Sequence, residues 1–216
     1  MGEQKEQLLR VLKAIGEKLI AAEKTLTELD SPIGDGDCGA SMKTGWLLVL
    51  DRLPSLNSEG MGGILKQLAI AFMSSVGGVS GAIYATAFMR AGKKIGAKAH
   101  LTLPEVHEVL IAALEGMKER GEGTKVGDKT LVDALEPALQ AFGRAVSEGD
   151  PVERVLEKAL SAARKGSEST ISLVAKKGRA SYLGERSVGH RDPGSVVICL
   201  MFEAANDLYR QKEVPA

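Results

Sequence analysis

A short stretch of the chain reads Asp30-Ser-Pro-Ile-Gly-Asp35-Gly-Asp37-Cys-Gly39 and places three carboxylates within eight positions. Like charges this close repel one another and raise each other's pKa, so a folded protein keeps them together only with water or a cation. Oxygen ligands on a flexible loop suit Mg²⁺ or Ca²⁺ better than Zn²⁺. The stretch, called the acidic loop below, therefore predicts a hard-cation site formed by Asp30, Asp35 and Asp37.

The acidic loop separates two amphipathic patterns. Before it, apolar residues recur in steps of three and four from about 4 to 26, which is the spacing of one helix face. After it, the same spacing recurs over 41–53, 62–76, 82–97, 103–117, 131–142, 151–163 and 193–208. No segment alternates convincingly as a strand does. The sequence predicts an all-α bundle of eight antiparallel amphipathic helices, in one domain spanning 1–216.

The composition narrows the class of protein. The chain has 216 residues, formal net charge +0 and 4% aromatic residues. Neutrality argues against binding nucleic acid by phosphate neutralisation, and scarce aromatics argue against base stacking. We expect no membrane span, because no stretch approaches the roughly 18 apolar residues that one needs. The N-terminus lacks the apolar run of a signal peptide, and two cysteines make no disulfide framework, so we expect a reduced, cytoplasmic protein.

Four irregular stretches connect the predicted helices: the acidic loop, 77–81, 121–129 and 178–194. They follow the first, third, fifth and seventh helices. If the helices alternate up and down, these connections lie at the same end of the bundle. One end would then carry most of the glycine, acid and arginine outside the helix surfaces, which favours one shared site over four unrelated loops.

The chemistry of these stretches favours a magnesium-nucleotide site. Gly34–Gly39 matches G-x-G-x-x-G formally, but it follows a helix and contains acids, so a cation must stand between it and any phosphate. Residues 77–81 at a helix start supply N–H groups for an anion, and Arg179 supplies a cation. Taken singly, 77–81 fits a helix-packing turn equally well, and Arg179 fits a solvated charge. Only their combination favours the site.

Four sequence motifs then carry a family resemblance. They are Leu29-Asp-Ser-Pro-Ile-Gly-Asp-Gly-Asp37, Ser74-Ser-Val-Gly-Gly-Val-Ser-Gly81, Gly127-Asp-Lys-Thr-Leu-Val-Asp133 and Lys177-Gly-Arg-Ala-Ser-Tyr-Leu-Gly-Glu-Arg-Ser-Val-Gly-His-Arg-Asp-Pro-Gly194. In this order they resemble the nucleotide-binding L subunit of dihydroxyacetone kinase and the matching domain of single-chain kinases. The resemblance implies a barrel of eight antiparallel helices that holds ADP or ATP at one end through two Mg²⁺ ions.

The resemblance also implies roles for individual residues. Asp30, Asp35 and Asp37 would ligate the metal. Residues of two helix starts would lie at the phosphates: Cys38, Gly39, Ala40, Ser41, Val79 and Ser80. Gly121 and Leu131 would flank the adenine. Arg179 would reach the phosphates as the catalytic residue, and Asp192, Pro193 and Gly194 would close over the nucleotide.

The implied reaction needs a partner. In this family a separate K subunit holds dihydroxyacetone covalently, and the L subunit delivers the phosphoryl group. The Asp-Cys-Gly form around Cys38 looks like the kinases that take ATP, whereas a free-standing L subunit is typical of the phosphotransferase route, in which an M subunit rephosphorylates bound ADP. The donor therefore stays open. Two further alternatives also stay open. The acceptor could be another small ketose or a tetrose, or the chain could be a non-catalytic, nucleotide-loaded regulatory module.

Overall fold

The structure is a computed structural model that describes residues 2–210, with the side chains of 57 and 58 set aside. Its α-helices are α1 (Glu3–Ala21), α2 (Glu23–Asp30), α3 (Cys38–Arg52), α4 (Met61–Ser75), α5 (Gly78–Ile95), α6 (Leu103–Arg120), α7 (Val132–Ser147), α8 (Val152–Ser169) and α9 (Pro193–Arg210). Short 3₁₀ helices cover Leu53–Ser58, Thr170–Ser172 and Arg179–Ser187. No strand occurs in this part of the chain.

The helices form a closed ring. From α3 to α9 each helix packs on the next, and α9 packs back on α1. The ring has eight members, because α1 and α2 succeed each other as one member and both contact α3. The prediction of an all-α barrel of antiparallel helices is confirmed. That 1–216 is one domain stays a prediction. Over residues 2–210, no helix has the length and apolarity needed to cross a bilayer.

Some predicted helix boundaries are wrong. The first predicted helix is broken at Ala22, and its second half continues to Asp30, so the first carboxylate stands on a helix end. α3 begins at Cys38 and α5 at Gly78, each earlier than the apolar pattern suggested. Glycine and small polar residues hide a first turn from a hydrophobic count. The stretch 77–81 is therefore mostly the N-terminal turn of α5, which presents backbone N–H groups.

An aromatic cluster fills the barrel beneath the helix starts. Trp46 is 1% exposed and meets Phe72 edge-on, with ring centroids 5.7 Å apart. Phe72 also lies 5.6 Å from the buried ring of Tyr84, one turn and a half into α5. Edge-to-face aromatic pairs add roughly 0.5–1.5 kcal/mol beyond the area that they bury. These contacts fix α3, α4 and α5 relative to one another.

Two glycines allow α4 and α5 to approach closely. A Cβ built on Gly62 would lie 2.4 Å from the Gly96 carbonyl oxygen and 2.8 Å from that of Gly92. A Cβ on Gly92 would in turn lie 2.7 Å from the Gly62 carbonyl oxygen. Backbone oxygens cannot move aside without separating the helices. The pair therefore sets the spacing of this helical hairpin, whose far end carries the start of α5.

We expect Gly62→Ala to lower the free energy of unfolding by about 1–3 kcal/mol, the usual cost of overpacking. Gly63→Ala in the same helix is the matched control. A Cβ there would meet only the flexible carboxylate of Glu59, so alanine should raise stability by about 0.5–1 kcal/mol through helix propensity. Urea unfolding monitored by circular dichroism measures both. Equal effects of the two substitutions would contradict the close approach.

Candidate magnesium-nucleotide site

Three carboxylates converge at the junction of α2 and α3. Ligand oxygens of Asp30, Asp35 and Asp37 all lie within 4.8 Å of one another. Asp30 is 8% exposed, and its Oδ2 accepts a hydrogen bond from the Cys38 N–H at 3.1 Å. Asp35 and Asp37 are exposed. The predicted acidic cluster thus exists as a cluster in space, with one member fixed by the start of α3.

Glycines make this convergence possible. The Gly34 N–H donates to the Asp30 carbonyl oxygen at 2.6 Å, which turns the chain sharply after α2. A Cβ on Gly34 would lie 2.0 Å from Asp30 Oδ1, so any side chain there would displace the carboxylate. A Cβ on Gly39 would lie 2.0 Å from the Glu23 carbonyl oxygen. Gly34 therefore admits the metal-ligand candidate, and Gly39 lets α3 start against α2.

The cluster is electrostatically strained. Burial, then repulsion from Asp35 and Asp30, raises the pKa of Asp37 above its ordinary value, and Arg179 opposes this rise. Arg179 Nε donates to Asp35 Oδ2 at 2.8 Å, but its side chain is 69% exposed. An exposed ion pair of this kind contributes little free energy. The arginine therefore offsets only part of the repulsion.

The donor set fits Mg²⁺. All three candidate ligands are carboxylate oxygens, the ligands that hard divalent cations prefer. The remaining candidate, the Cys38 thiol, does not compete, because burial and then the charge of Asp30 raise its pKa to about 12. A protonated thiol is a poor metal ligand and a poor nucleophile. Cys38 can thus contribute its backbone N–H and its bulk, but not thiolate chemistry.

The α6–α7 connection forms a tight turn behind this cluster. The Asp133 carboxylate accepts hydrogen bonds from the N–H groups of Gly127 at 2.6 Å and Thr130 at 2.7 Å. Asp133 is 1% exposed, so these charge-assisted bonds form away from water. The turn places Leu131, half-buried, immediately before α7. The predicted adenine neighbour is therefore held by a rigid turn.

The α8–α9 connection lies over that turn. The Lys176 N–H donates to the Asp128 carbonyl oxygen at 3.1 Å. Asp192 caps α9 by accepting the Ser195 N–H at 2.6 Å, and burial raises its pKa to about 7. A Cβ on Gly194 would lie 3.3 Å from Leu131 Cβ. The predicted cover and the predicted adenine neighbour thus lie in contact.

The remaining predicted residues occupy separate positions. Ala40 and Ser41 lie in the first turn of α3, beside the acidic cluster. Val79 and Ser80 are exposed in the first turn of α5. Tyr84, in the next turn of α5, is buried, and burial raises the pKa of its hydroxyl. Gly121 ends α6, where a Cβ would lie 2.7 Å from Thr124 Oγ1. Pro193 is buried at the start of α9.

Sequence reasoning missed the residues that join the connections. Lys129 is 1% exposed, and its ammonium donates to the carbonyl oxygens of Thr170 and His190. Thr170 Oγ1 in turn accepts the Asp192 N–H at 3.0 Å. Lys129 and Asp133 stand in a motif that signalled the resemblance, but no spacing rule reveals an inward-pointing lysine in a loop. Thr170 carried no signal.

Comparisons with known proteins decide the family. The DAK2 domain model matches residues 32–207. The chain belongs to the DAK2-domain family. It is 37% identical to the "PEP-dependent dihydroxyacetone kinase, ADP-binding subunit DhaL" of Escherichia coli (strain K12), over 91% of this chain and 93% of that protein. It is 34% identical to the "Triokinase/FMN cyclase" of Mus musculus, over 92% of this chain and 34% of that protein.

A solved structure agrees with this assignment. The dihydroxyacetone kinase from C. freundii, crystallised in complex with AMP-PNP and Mg²⁺, superposes with a TM-score of 0.73 at 25% identity. The match covers 94% of this chain and 34% of that kinase, so the chain spans about a third of its length. The predicted resemblance to dihydroxyacetone kinase L subunits is confirmed, together with the all-α fold.

We expect Asp37→Asn to stabilise the metal-free protein near neutral pH and to weaken Mg²⁺ binding about tenfold or more. Since the folded-state pKa of Asp37 is raised, its contribution to stability is present at low pH and lost as the pH rises through that pKa. The difference in stability between variant and wild type should therefore grow with pH. Thermal unfolding in EDTA and in Mg²⁺ across this range measures both effects.

The control is Asp51→Asn, which removes an exposed carboxylate of α3 outside the cluster. It should leave both the pH dependence and the stabilisation by Mg²⁺ unchanged. If Mg²⁺ stabilised Asp37→Asn as strongly as wild type, the acidic cluster would not be the metal site.

Proposed function

We propose that this chain is the ADP/ATP-binding subunit of a dihydroxyacetone kinase and transfers a phosphoryl group to dihydroxyacetone held on a partner K subunit. The observation that carries the proposal is the cluster of Asp30, Asp35 and Asp37 at the end of the barrel where α3 and α5 begin. The names of the Escherichia coli and C. freundii relatives, matched along nearly the whole chain, supply the reaction class.

The phosphate side of the proposed site combines negatively charged carboxylates with the positively polarised N-termini of two helices. Asp30, Asp35 and Asp37 would hold Mg²⁺, two ions in our proposal, which neutralise the phosphate oxygens during transfer. The first turn of α3, Cys38–Ser41, would lie at the phosphates with the Gly39 and Ala40 N–H groups as donors, because those of Cys38 and Ser41 already donate to Asp30 and Asp37. Val79 and Ser80 would offer N–H groups from α5. Helix N-termini stabilise anions through free N–H groups and the helix dipole.

The base side of the proposed site lies at the α6–α7 and α8–α9 connections. Leu131 and Gly121 would flank the adenine, and Asp192, Pro193 and Gly194 would cover the nucleotide. The 3.3 Å approach between Leu131 and a Cβ at Gly194 supports this, because it brings the two sides of the cradle together. A buried and nearly closed base site would exclude water from the reacting phosphate.

Arg179 is the proposed catalytic residue. Its guanidinium lies 2.8 Å from Asp35 and is exposed, so little free energy holds it there. A cation on the acidic cluster would take over the neutralisation of Asp35 and leave the guanidinium for the transferring phosphoryl group. No general base for the substrate hydroxyl is proposed on this chain, because the acceptor would be bound by the K subunit.

A separate proposal concerns the phosphoryl donor. The name of the Escherichia coli relative specifies phosphoenolpyruvate dependence, which supports ADP retained on the subunit and rephosphorylated by a phosphotransferase M subunit. The protonated Cys38 thiol offers no chemistry that would demand ATP instead. We place the protein in the cytoplasm, in agreement with two free cysteines, Cys38 and Cys199, in residues 2–210.

The purified chain alone should not phosphorylate dihydroxyacetone, and activity should appear when a K subunit and a donor are added. Acid release and chromatography of nucleotide from the purified protein distinguishes the donors. Stoichiometric ADP that survives dialysis supports the phosphotransferase route, whereas an empty protein that binds ATP reversibly supports exchange. A mixture that binds nucleotide but is inactive with both donors would indicate a regulatory module instead.

We expect Arg179→Gln to reduce phosphoryl transfer in the reconstituted enzyme by on the order of a hundredfold to a thousandfold, because it removes a charge aimed at the transition state. Binding of MgADP should weaken far less. Arg186→Gln, an exposed arginine of the same 3₁₀ segment, is the matched control and should retain activity. If Arg179→Gln raised KM and left kcat unchanged, Arg179 would have a purely binding role.

A further inference from the structure

Lys129 is a deeply buried charged residue near the proposed site. Its side chain is 1% exposed, and burial lowers its pKa although Asp192 and Asp133 oppose the shift. A buried ammonium is costly unless its protons are taken up by acceptors. Here the carbonyl oxygens of Thr170 and His190 take up two of them. The lysine thus binds backbone rather than standing in solvent.

The backbone around Lys129 is shaped to aim it inward. Its φ is 61°, in the left-handed region that a residue with a side chain rarely adopts. Two nearby carboxylates hold this turn. Asp133 accepts the N–H groups of Gly127 and Thr130, and Asp128 Oδ2 accepts the Lys125 N–H at 3.0 Å. Backbone conformations of this kind persist where surrounding contacts over-determine them, and they cluster at functional sites.

The two carbonyls stand at opposite ends of the α8–α9 connection. Thr170 is the first residue after α8, and His190 stands two positions before Asp192. One ammonium therefore joins residues 170 and 190 and fastens both to the turn that carries Leu131. The Asp192 N–H on Thr170 Oγ1 completes the closed segment 170–192. The same segment carries Arg179, and it leads directly into Asp192–Gly194.

We propose that Lys129 is a positioning residue that assembles the nucleotide cradle before nucleotide binds, by fastening segment 170–192 to the turn at 125–133. The inference rests on the proposed function, since the cradle is the proposed ADP site. Lys129 does not touch the nucleotide in this scheme. It acts through the carbonyls of Thr170 and His190, which set where Arg179 and the 192–194 cover stand.

The test is Lys129→Met, which keeps the length and apolar stem but removes the charge and the donors. MgADP affinity by calorimetry should fall on the order of ten- to hundredfold, the usual effect of misplacing a binding group. Mn²⁺ affinity without nucleotide, measured by electron paramagnetic resonance, should stay within about twofold of wild type. The acidic cluster is held mainly by α2 and α3, and its pair with the exposed Arg179 contributes little free energy. A purely structural role would change both affinities or neither.

Lys176→Met is the matched control. Its ammonium donates to the Gly127 carbonyl oxygen at 2.9 Å across the same two connections, but 59% of the side chain is exposed. We expect MgADP affinity within about twofold of wild type, as for most surface substitutions. Wild-type affinity in folded Lys129→Met, or an equal loss in Lys176→Met, would overturn the proposal.

A measurement on the unmutated protein covers the case in which Lys129→Met does not fold. Hydrogen exchange without nucleotide should show protected amides at Lys176 and Asp192, which donate across and within the fastened segment. Exchange at the rate of an unfolded chain would overturn preassembly. Wild-type protein that bound no ADP at all would refute the proposed function. The hydrogen-exchange experiment would still test whether segment 170–192 is fastened to the turn at 125–133.

Discussion

The repulsion among Asp30, Asp35 and Asp37 is the constraint on which this end of the barrel depends. Oxygens of three carboxylates within 4.8 Å would drive the acidic loop apart if nothing opposed them. What opposes them is the packing of α2 against α3, which Gly39 permits, and the Cys38 N–H on Asp30. Repulsion within the anionic cluster therefore lowers the stability of the folded protein, and a cation that relieves the repulsion must stabilise the fold.

The closed ring explains why an acidic cluster can serve an anionic ligand. In an antiparallel ring, alternate helices start at the same end, so α3, α5, α7 and α9 all direct N-termini towards the connections that carry the site. Each start contributes partial positive charge. The same topology would thus supply carboxylates for the proposed cation and helix starts for the proposed phosphates. Phosphoryl transfer requires that pairing, since catalysis there is mainly positioning and charge neutralisation.

Much of this could be predicted from the sequence, because the signals were periodic or dense. The spacing of apolar residues predicted the helices of the ring, and the acidic loop predicted the cluster of Asp30, Asp35 and Asp37. The break at Ala22 and the early start of α5 at Gly78 left no hydrophobic signal, since turns of small residues contribute none. Lys129 was hidden for a different reason. A lysine between polar residues indicates a solvated loop, and only the structure shows its ammonium donating to the carbonyl oxygens of Thr170 and His190.

The fastened segment bears on the choice of donor more directly than Cys38 does. Burial, then the charges of Asp30 and its neighbours, raises the pKa of the Cys38 thiol, so position 38 offers no thiolate chemistry on which a choice between ATP and phosphoenolpyruvate could rest. If the nucleotide binds as proposed, its exchange would instead require segment 170–192 and the 192–194 cover to open. Opening them would move the carbonyl oxygens of Thr170 and His190 away from the Lys129 ammonium. The loss of both acceptors from a buried charge costs free energy. Under the proposed function, a cradle closed in this way would favour slow release, and slow release would favour ADP that stays bound and is rephosphorylated in place.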